Sequence, residues 1–186
     1  MVILPLLLCA VPLVAAWGAT DMIGNGRWIT KNVAKCPDDS KYTTKLEISR
    51  KKVNRTHDGF NLNGDLDFVL DNEHGIFIDA CKYMDGGCKP YQTFADDCAC
   101  CFLKKHAESN MVEIFTKAGI DPPDCPIPKG ALVVKDYVFN YNALPEKGIY
   151  GTYDAKIYLL QPKVGENPPE KIGCVLLTLQ FENETD

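Results

Sequence analysis

The sequence predicts a mainly β fold: an antiparallel β-cup or β-sandwich with a short helical excursion, braced by disulfides. Three observations carry that expectation. Apolar residues recur with period two in several separate runs, one mid-chain segment switches to helical spacing, and nine cysteines occur in a chain of 186 residues that opens on an uncharged apolar stretch.

That opening stretch, residues 1–19 (MVILPLLLCAVPLVAAWGA), is too short and Pro-broken to span a bilayer comfortably. It reads as a signal peptide, cleaved between positions 16 and 19 beside Val14-Ala15-Ala16. The missing Lys or Arg near Met1 leaves a membrane anchor as the rival reading. Residues 20–186 suit one domain, able to bury about two thirds of its unfolded surface.

The clearest strand is 60–70. Phe60, Leu62, Leu66, Phe68 and Leu70 share one parity while Asn61, Asn63, Asp65 and Asp67 share the other, the signature of one dry face. Gly64 interrupts the apolar row and marks a bulge or a close approach to the backbone. Upstream, 43–53 alternates around Leu46 and Ile48, and 54–59 supplies turn chemistry, so the two runs form an antiparallel pair. A short strand at 75–81 ends at Gly86-Gly87. Runs at 131–141, 149–161 and 171–182 complete the β set, the last with Val175, Leu177, Leu179 and Phe181 on one parity. Between 94 and 117 the β-branched residues thin out, and Met111, Ile114, Phe115 and Ala118 recur at helical spacing before Gly119 and Pro122-Pro123. One helix is expected there, or two broken near Ser109-Asn110.

Net charge of -5 speaks against a nucleic-acid partner, which needs a basic face to release phosphate counterions. The cluster Arg50-Lys51-Lys52 with Arg55 reads as a solvated strand end. Once Cys9 leaves with the leader, the even set of remaining cysteines is a disulfide framework of a secreted protein. Sequons at Asn54 and Asn183 fit glycosylation along that route.

No constellation for catalysis emerges. Cys98-Ala99-Cys100-Cys101 with His106 is the one cluster that invites a metal or redox reading, but no parallel βαβ pattern surrounds its CxxC and the compartment favours disulfides. His57, His74 and His106 read as surface histidines; Asp65 and Asp67 read as solvated. GxSxG, HExxH and P-loop motifs are all missing. The expectation is a non-enzyme with no cofactor and no metal.

Four local motifs carry a resemblance: 75–81 (GIFIDAC) with Cys88 seven residues on, Phe94-x-x-x-Cys98, Cys125-Pro126-x-x-x-Gly130, and a late Lys171-Ile-Gly-Cys174-Val-x-Leu. In that order they resemble the lysosomal ganglioside activator family and the insect CheB-type chemosensory family, both lipid-recognition β-cups. The resemblance implies disulfides joining Cys36 to Cys174, Cys81 to Cys88 and Cys98 to Cys125. It also implies a ligand with its acyl tail in the cup, with Leu62, Leu66, Phe68, Ile76, Ile78, Tyr153, Ile157, Leu177 and Leu179 as walls. Segment 111–127, with Met111, Ile114 and Phe115, forms a rim. Each buried methylene contributes about 0.8 kcal/mol, so a long chain supplies on the order of 10 kcal/mol gross.

Two departures stand out. The activator's fourth bridge lacks a partner cysteine here, while Cys100 and Cys101 are extra; they pair with each other, join another subunit, or displace an assigned partner. The activator's Leu-Pro-Trp loop is replaced by Leu144-Pro145-Glu146, which speaks against direct extraction of gangliosides from membranes. The functional expectation is a secreted carrier or presenter of a lipid or other apolar ligand, in chemosensory or lipid-presentation roles, with contacts to a membrane surface or receptor. The lysosomal lumen is the family's other address. The rival is a β-sandwich module with a filled interior, acting through surface loops on a receptor.

Overall fold

The computed structural model describes residues 23–52, 58–141 and 144–183. The leader, Asn54, Arg55 and His57 lie outside the described residues. Nine strands and one helix run in the order β1 (Ile23–Lys35), β2 (Leu46–Lys52), β3 (Asp58–Leu66), β4 (Gly75–Met84), β5 (Gly87–Asp96), α1 (Ala99–Lys117), β6 (Gly130–Tyr137), β7 (Lys147–Ile149), β8 (Gly151–Leu160) and β9 (Lys171–Asn183), with a 3-10 turn at Asp39–Lys41. The strands build a six-stranded sheet, β5-β4-β8-β9-β1-β7, and a three-stranded sheet, β2-β3-β6. All pairings are antiparallel, and the sheet curls into a half-barrel.

The β2–β3 pair forms with Ile48 opposite Leu62 and Leu46 opposite Gly64. A side chain at Gly64 would collide with Leu46 Cδ2, so the gap in the apolar row is filled from the neighbouring strand. β3 stops at Leu66, and Leu70 instead makes an isolated two-bond bridge to Ile127. Three strands go beyond the alternation: β1, whose register shifts between Thr30 and Asn32, the three-residue β7 paired with its start, and β5, exposed along nearly its whole length as a sheet edge. None presents the clean dry parity that marks a strand in sequence.

The helix is one element with a non-helical Ala107 (φ -150°, ψ 35°), two residues before the expected break. It packs through Met111 and Phe115 against Leu66 and Ile127, a buried cluster flanked by Phe68, Leu70 and Ile114. A second cluster, Phe60, Val134 and Tyr137, joins the small sheet to Val33 of β1. Asn110 sits at that junction, its Nδ2 donating to the Asn140 carbonyl at 2.9 Å and its Oδ1 accepting from the Tyr137 hydroxyl.

Among the described residues four disulfides are present: Cys36–Cys174, Cys81–Cys88, Cys98–Cys101 and Cys100–Cys125. The first two are the expected pairs. The Cys98–Cys125 pairing is corrected, and the displacement alternative for Cys100 and Cys101 is the one realised. The physical reason is the first turn of α1. Cys98 caps the helix and lies three residues from Cys101, a spacing that stacks both on one side with Cα atoms 5.2 Å apart. Cys100 is turned roughly a quarter of the way around the helix, is 4 % exposed and meets Cys125. Reading His74 as a surface residue is corrected as well: it is 6 % exposed, stacked on Phe68, with Nδ1 2.9 Å from Asp71 Oδ1. That contact holds the Asp71 carboxyl below its usual range.

Candidate functional site

Side chains at paired positions of an antiparallel sheet share a face. Register therefore sorts the large sheet. On one face lie Val175, Leu177, Leu179 and Phe181 of β9, Tyr153, Ala155, Ile157 and Leu159 of β8, and Ile76, Ile78, Ala80 and Lys82 of β4. Trp28, Thr30 and Val33 of β1 complete it. This is the inner face, because Val33 packs against the Phe60 cluster of the second sheet. The outer face carries Cys174, Leu176, Tyr158 and Phe77, covered by the 36–44 segment through Cys36 and Tyr42.

The two ends of the inner face are closed. At one, Ile76 is 5 % exposed. At the other, Phe181 is 1 % exposed beneath Trp28, with ring centres 4.9 Å apart, and stacks on Tyr150 at 5.5 Å. The rings are pinned: Trp28 Nε1 donates to the Pro145 carbonyl at 2.9 Å, Tyr150 Oη to the Asn25 carbonyl at 2.8 Å and Tyr153 Oη to the Ile149 carbonyl at 2.6 Å. Burial, and then Tyr91 alongside, push the Tyr153 hydroxyl up to about 12.

Between those ends the middle of the face is half-open. Ile78, Ala80, Ala155, Ile157, Leu159, Val175, Leu177 and Leu179 are all only partly buried, and none joins a buried cluster. An apolar row left in this state exposes surface that each added contact would stabilise at roughly 25 cal/mol per Å².

The sequence-derived wall residues thus divide. Ile76, Ile78, Tyr153, Ile157, Leu177 and Leu179 come together on the inner face. Leu62 and Leu66 lie on the small sheet, with Phe68 beyond its end, and Met111, Ile114 and Phe115 plug the helix into the clusters around them. Met111 and Phe115, at 3 % and 6 % exposed, are core residues. A 540 Å³ cleft opens between the end of α1 and β6, lined by Ala118, Ile120, Cys125, Ile127 and Leu132. Of the predicted walls, only Leu66 borders it.

Residues the alternation did not single out are Lys82, Trp28 and Tyr91. Lys82 continues the parity of Ile76 and Ile78 past Cys81, so the signal was present in the run. Tyr91 sits where β4 and β5 shift register, as the unpaired residue of a bulge that brings its ring within 5.2 Å of Tyr153.

Cys81, Cys88 and Asp154 lie within metal-ligand distance of one another, yet both sulfurs are committed to a disulfide and offer no thiolate. Among the described residues no helix is long and apolar enough to cross a membrane. No family model matches the chain, and no curated protein matches it in sequence.

Proposed function

We propose that this is a secreted, non-enzymatic protein that holds a lipid or similar apolar ligand against the inner face of its curled sheet. One observation carries the reading: the half-buried row from Ile78 to Leu179, apolar throughout and outside every packed cluster. A sheet face of this kind normally packs against a second layer. Here an acyl chain supplies that layer, with affinity set by chain length. The four disulfides suit the secretory route and offset packing that a ligand-holding interior gives up. The resemblance to the ganglioside activator and CheB-type families points the same way.

The β4–β5 hairpin favours a second, compatible role in surface contact. Tyr83, Met84, Tyr91 and Phe94 are 43–58 % exposed along a free sheet edge. An edge strand with apolar side chains offers both backbone groups and surface to a receptor or a membrane.

Native mass spectrometry and lipid extraction of the full chain, secreted from a eukaryotic host, test the carrier reading. Uptake of the neutral fluorophore N-phenyl-1-naphthylamine is the solution assay. The expected result is co-purified lipid, saturable uptake, and loss of uptake in Leu177→Asp and Ile157→Asp. A ligand-free protein that takes up no fluorophore overturns the reading.

A further inference from the structure

One residue on the apolar face is out of place. Lys82 is 9 % exposed, and among the described residues its ammonium meets no carboxylate and makes no hydrogen bond. Its one favourable contact is the Tyr153 ring, 5.7 Å from Nζ to the centroid. The stem of a lysine can lie on apolar surface while its ammonium stays accessible, so this charge remains available to a ligand at the edge of the apolar row.

The surroundings keep it unpaired. Asp154, on the neighbouring strand, points to the other face, where Tyr83 Oη donates to it at 2.8 Å and Thr178 Oγ1 at 2.6 Å. Glu182 likewise faces away and is held by Arg27 at 2.8 Å. Among the described residues, the one strand carboxylate on the inner face of the large sheet is Asp96 at the far end, whose Oδ1 caps the Cys98 amide at 2.9 Å. The residue opposite Lys82 on β5 is Lys89, a second cation. In a chain of net charge -5, this end of the inner face is positive.

The chain also makes room for the side chain. Gly151 has φ 149°, and a Cβ there would press on Lys82 Cε at 2.7 Å, so the lysine stem lies over the missing side chain. In the same cross-strand row as Lys82, running through Tyr153 and Leu179, stands Thr30. It is 3 % exposed and its Oγ1 has no hydrogen-bond partner. The unpaired Lys82 ammonium and the buried, unpartnered Thr30 hydroxyl thus stand on one transverse row, directly beside the apolar stripe.

We infer that the ligand is an anionic amphiphile: its oxyanion headgroup, carboxylate or phosphate, takes Lys82 as counter-ion while its acyl chain runs along Ile157 and Leu177. This rests on the carrier reading above and deepens it by naming the headgroup. Charge-assisted hydrogen bonds in a desolvated site are strong enough to give an anion about tenfold or more over a neutral headgroup.

The test is displacement of bound N-phenyl-1-naphthylamine from the full chain by oleate, by oleoyl lysophosphatidate and by oleyl alcohol. At least one anion should displace the fluorophore at about tenfold lower concentration than the alcohol. The better of the two assigns the source, free fatty acid or lipid phosphate. In Lys82→Met the anion-to-alcohol ratio should fall to within about twofold, and Lys82→Arg should restore it. An alcohol that competes as well as both anions in the wild type overturns the inference and leaves the carrier reading standing, even if Lys82→Met fails to fold. A preference that survives in a folded Lys82→Met overturns it too. Absence of fluorophore uptake removes the carrier reading and this inference together.

Discussion

The two faces of the six-stranded sheet are built from the same strands, yet they end differently: the inner face is apolar along most of its length, whereas the outer face carries Asp79, Asp154, Lys156, Thr178 and Glu182 beside its apolar patch. On the outer face Tyr158 and Leu160 are buried with Cys174, and Tyr42 and Cys36 close over them. The Tyr158 ring lies edge-on to Tyr42 at 6.1 Å, against Phe77 at 5.9 Å and beneath Lys171 Nζ at 3.7 Å. On the inner face Val175 and Leu177 are neighbours of Cys174 and Leu176 in the chain, but they join no buried cluster, whereas Cys174 and Leu176 pack into the outer one. Hydrophobicity alone therefore does not decide which face is packed. A covering segment does, and the outer face has one tied down by a disulfide whose cysteines are 138 residues apart.

Removing that tie should have the largest effect. The paired substitution Cys36→Ser with Cys174→Ser should cost about 5 kcal/mol from loop-closure entropy, read from chemical denaturation of the purified chain. A loss below about 1 kcal/mol would mean that the outer cover holds without its bridge.

Next in size is a direct contrast of the faces. Leu160→Ala should cost about 2 to 5 kcal/mol, because Leu160 is 8 % exposed within a closed cluster. Leu177→Ala should cost about 1 kcal/mol, since a half-open site loses transfer energy but creates no sealed cavity. Equal costs would make the inner face a filled core and favour the receptor-module alternative.

Tyrosine titration gives a smaller, spectroscopic contrast. Burial, then the hydrogen bond with Asp38, raises Tyr42 to about 12 on the outer side, and burial raises Tyr153 to about 12 on the inner. A raised folded pKa means that the native state keeps its proton after the unfolded state has lost it. Stability is thus intact below pH about 10 and declines as pH rises from there toward 12. Phenolate absorbance should show both groups ionising late. Bound oleate should delay Tyr153 further and leave Tyr42 unmoved; equal movement of both would mean the ligand does not lie on the inner face. Smallest of all, Lys51→Ala should cost under about 0.5 kcal/mol, because its 3.1 Å pair with Asp136 is exposed and belongs to neither face.

Much of this was legible in residue order. The parity of Val175, Leu177, Leu179 and Phe181 identified a dry face of β9, and Ile76, Ile78 and Ile157 fell on the same sheet face once strands were paired. β1 was illegible because Gly24, Gly26 and a register shift beside Lys31 break its alternation. β5 was illegible because an exposed edge strand carrying Pro90 has no dry parity to display. The cysteines of the first helical turn were legible as a cluster and not as pairs. A helix rotates adjacent residues by about 100°, so one step separates the exposed Cys101 from the buried Cys100.

Strand and helix periods are local properties, set by backbone geometry over a few residues, and they settled which side chains share a face. Which face would be covered, which cysteine would meet Cys125, and that Lys82 would be enclosed without a carboxylate depended on where distant segments pass. Those outcomes belong to the chain path: Thr30 from β1, Tyr153 from β8 and Lys82 from β4 stand in one row only after the sheet has formed.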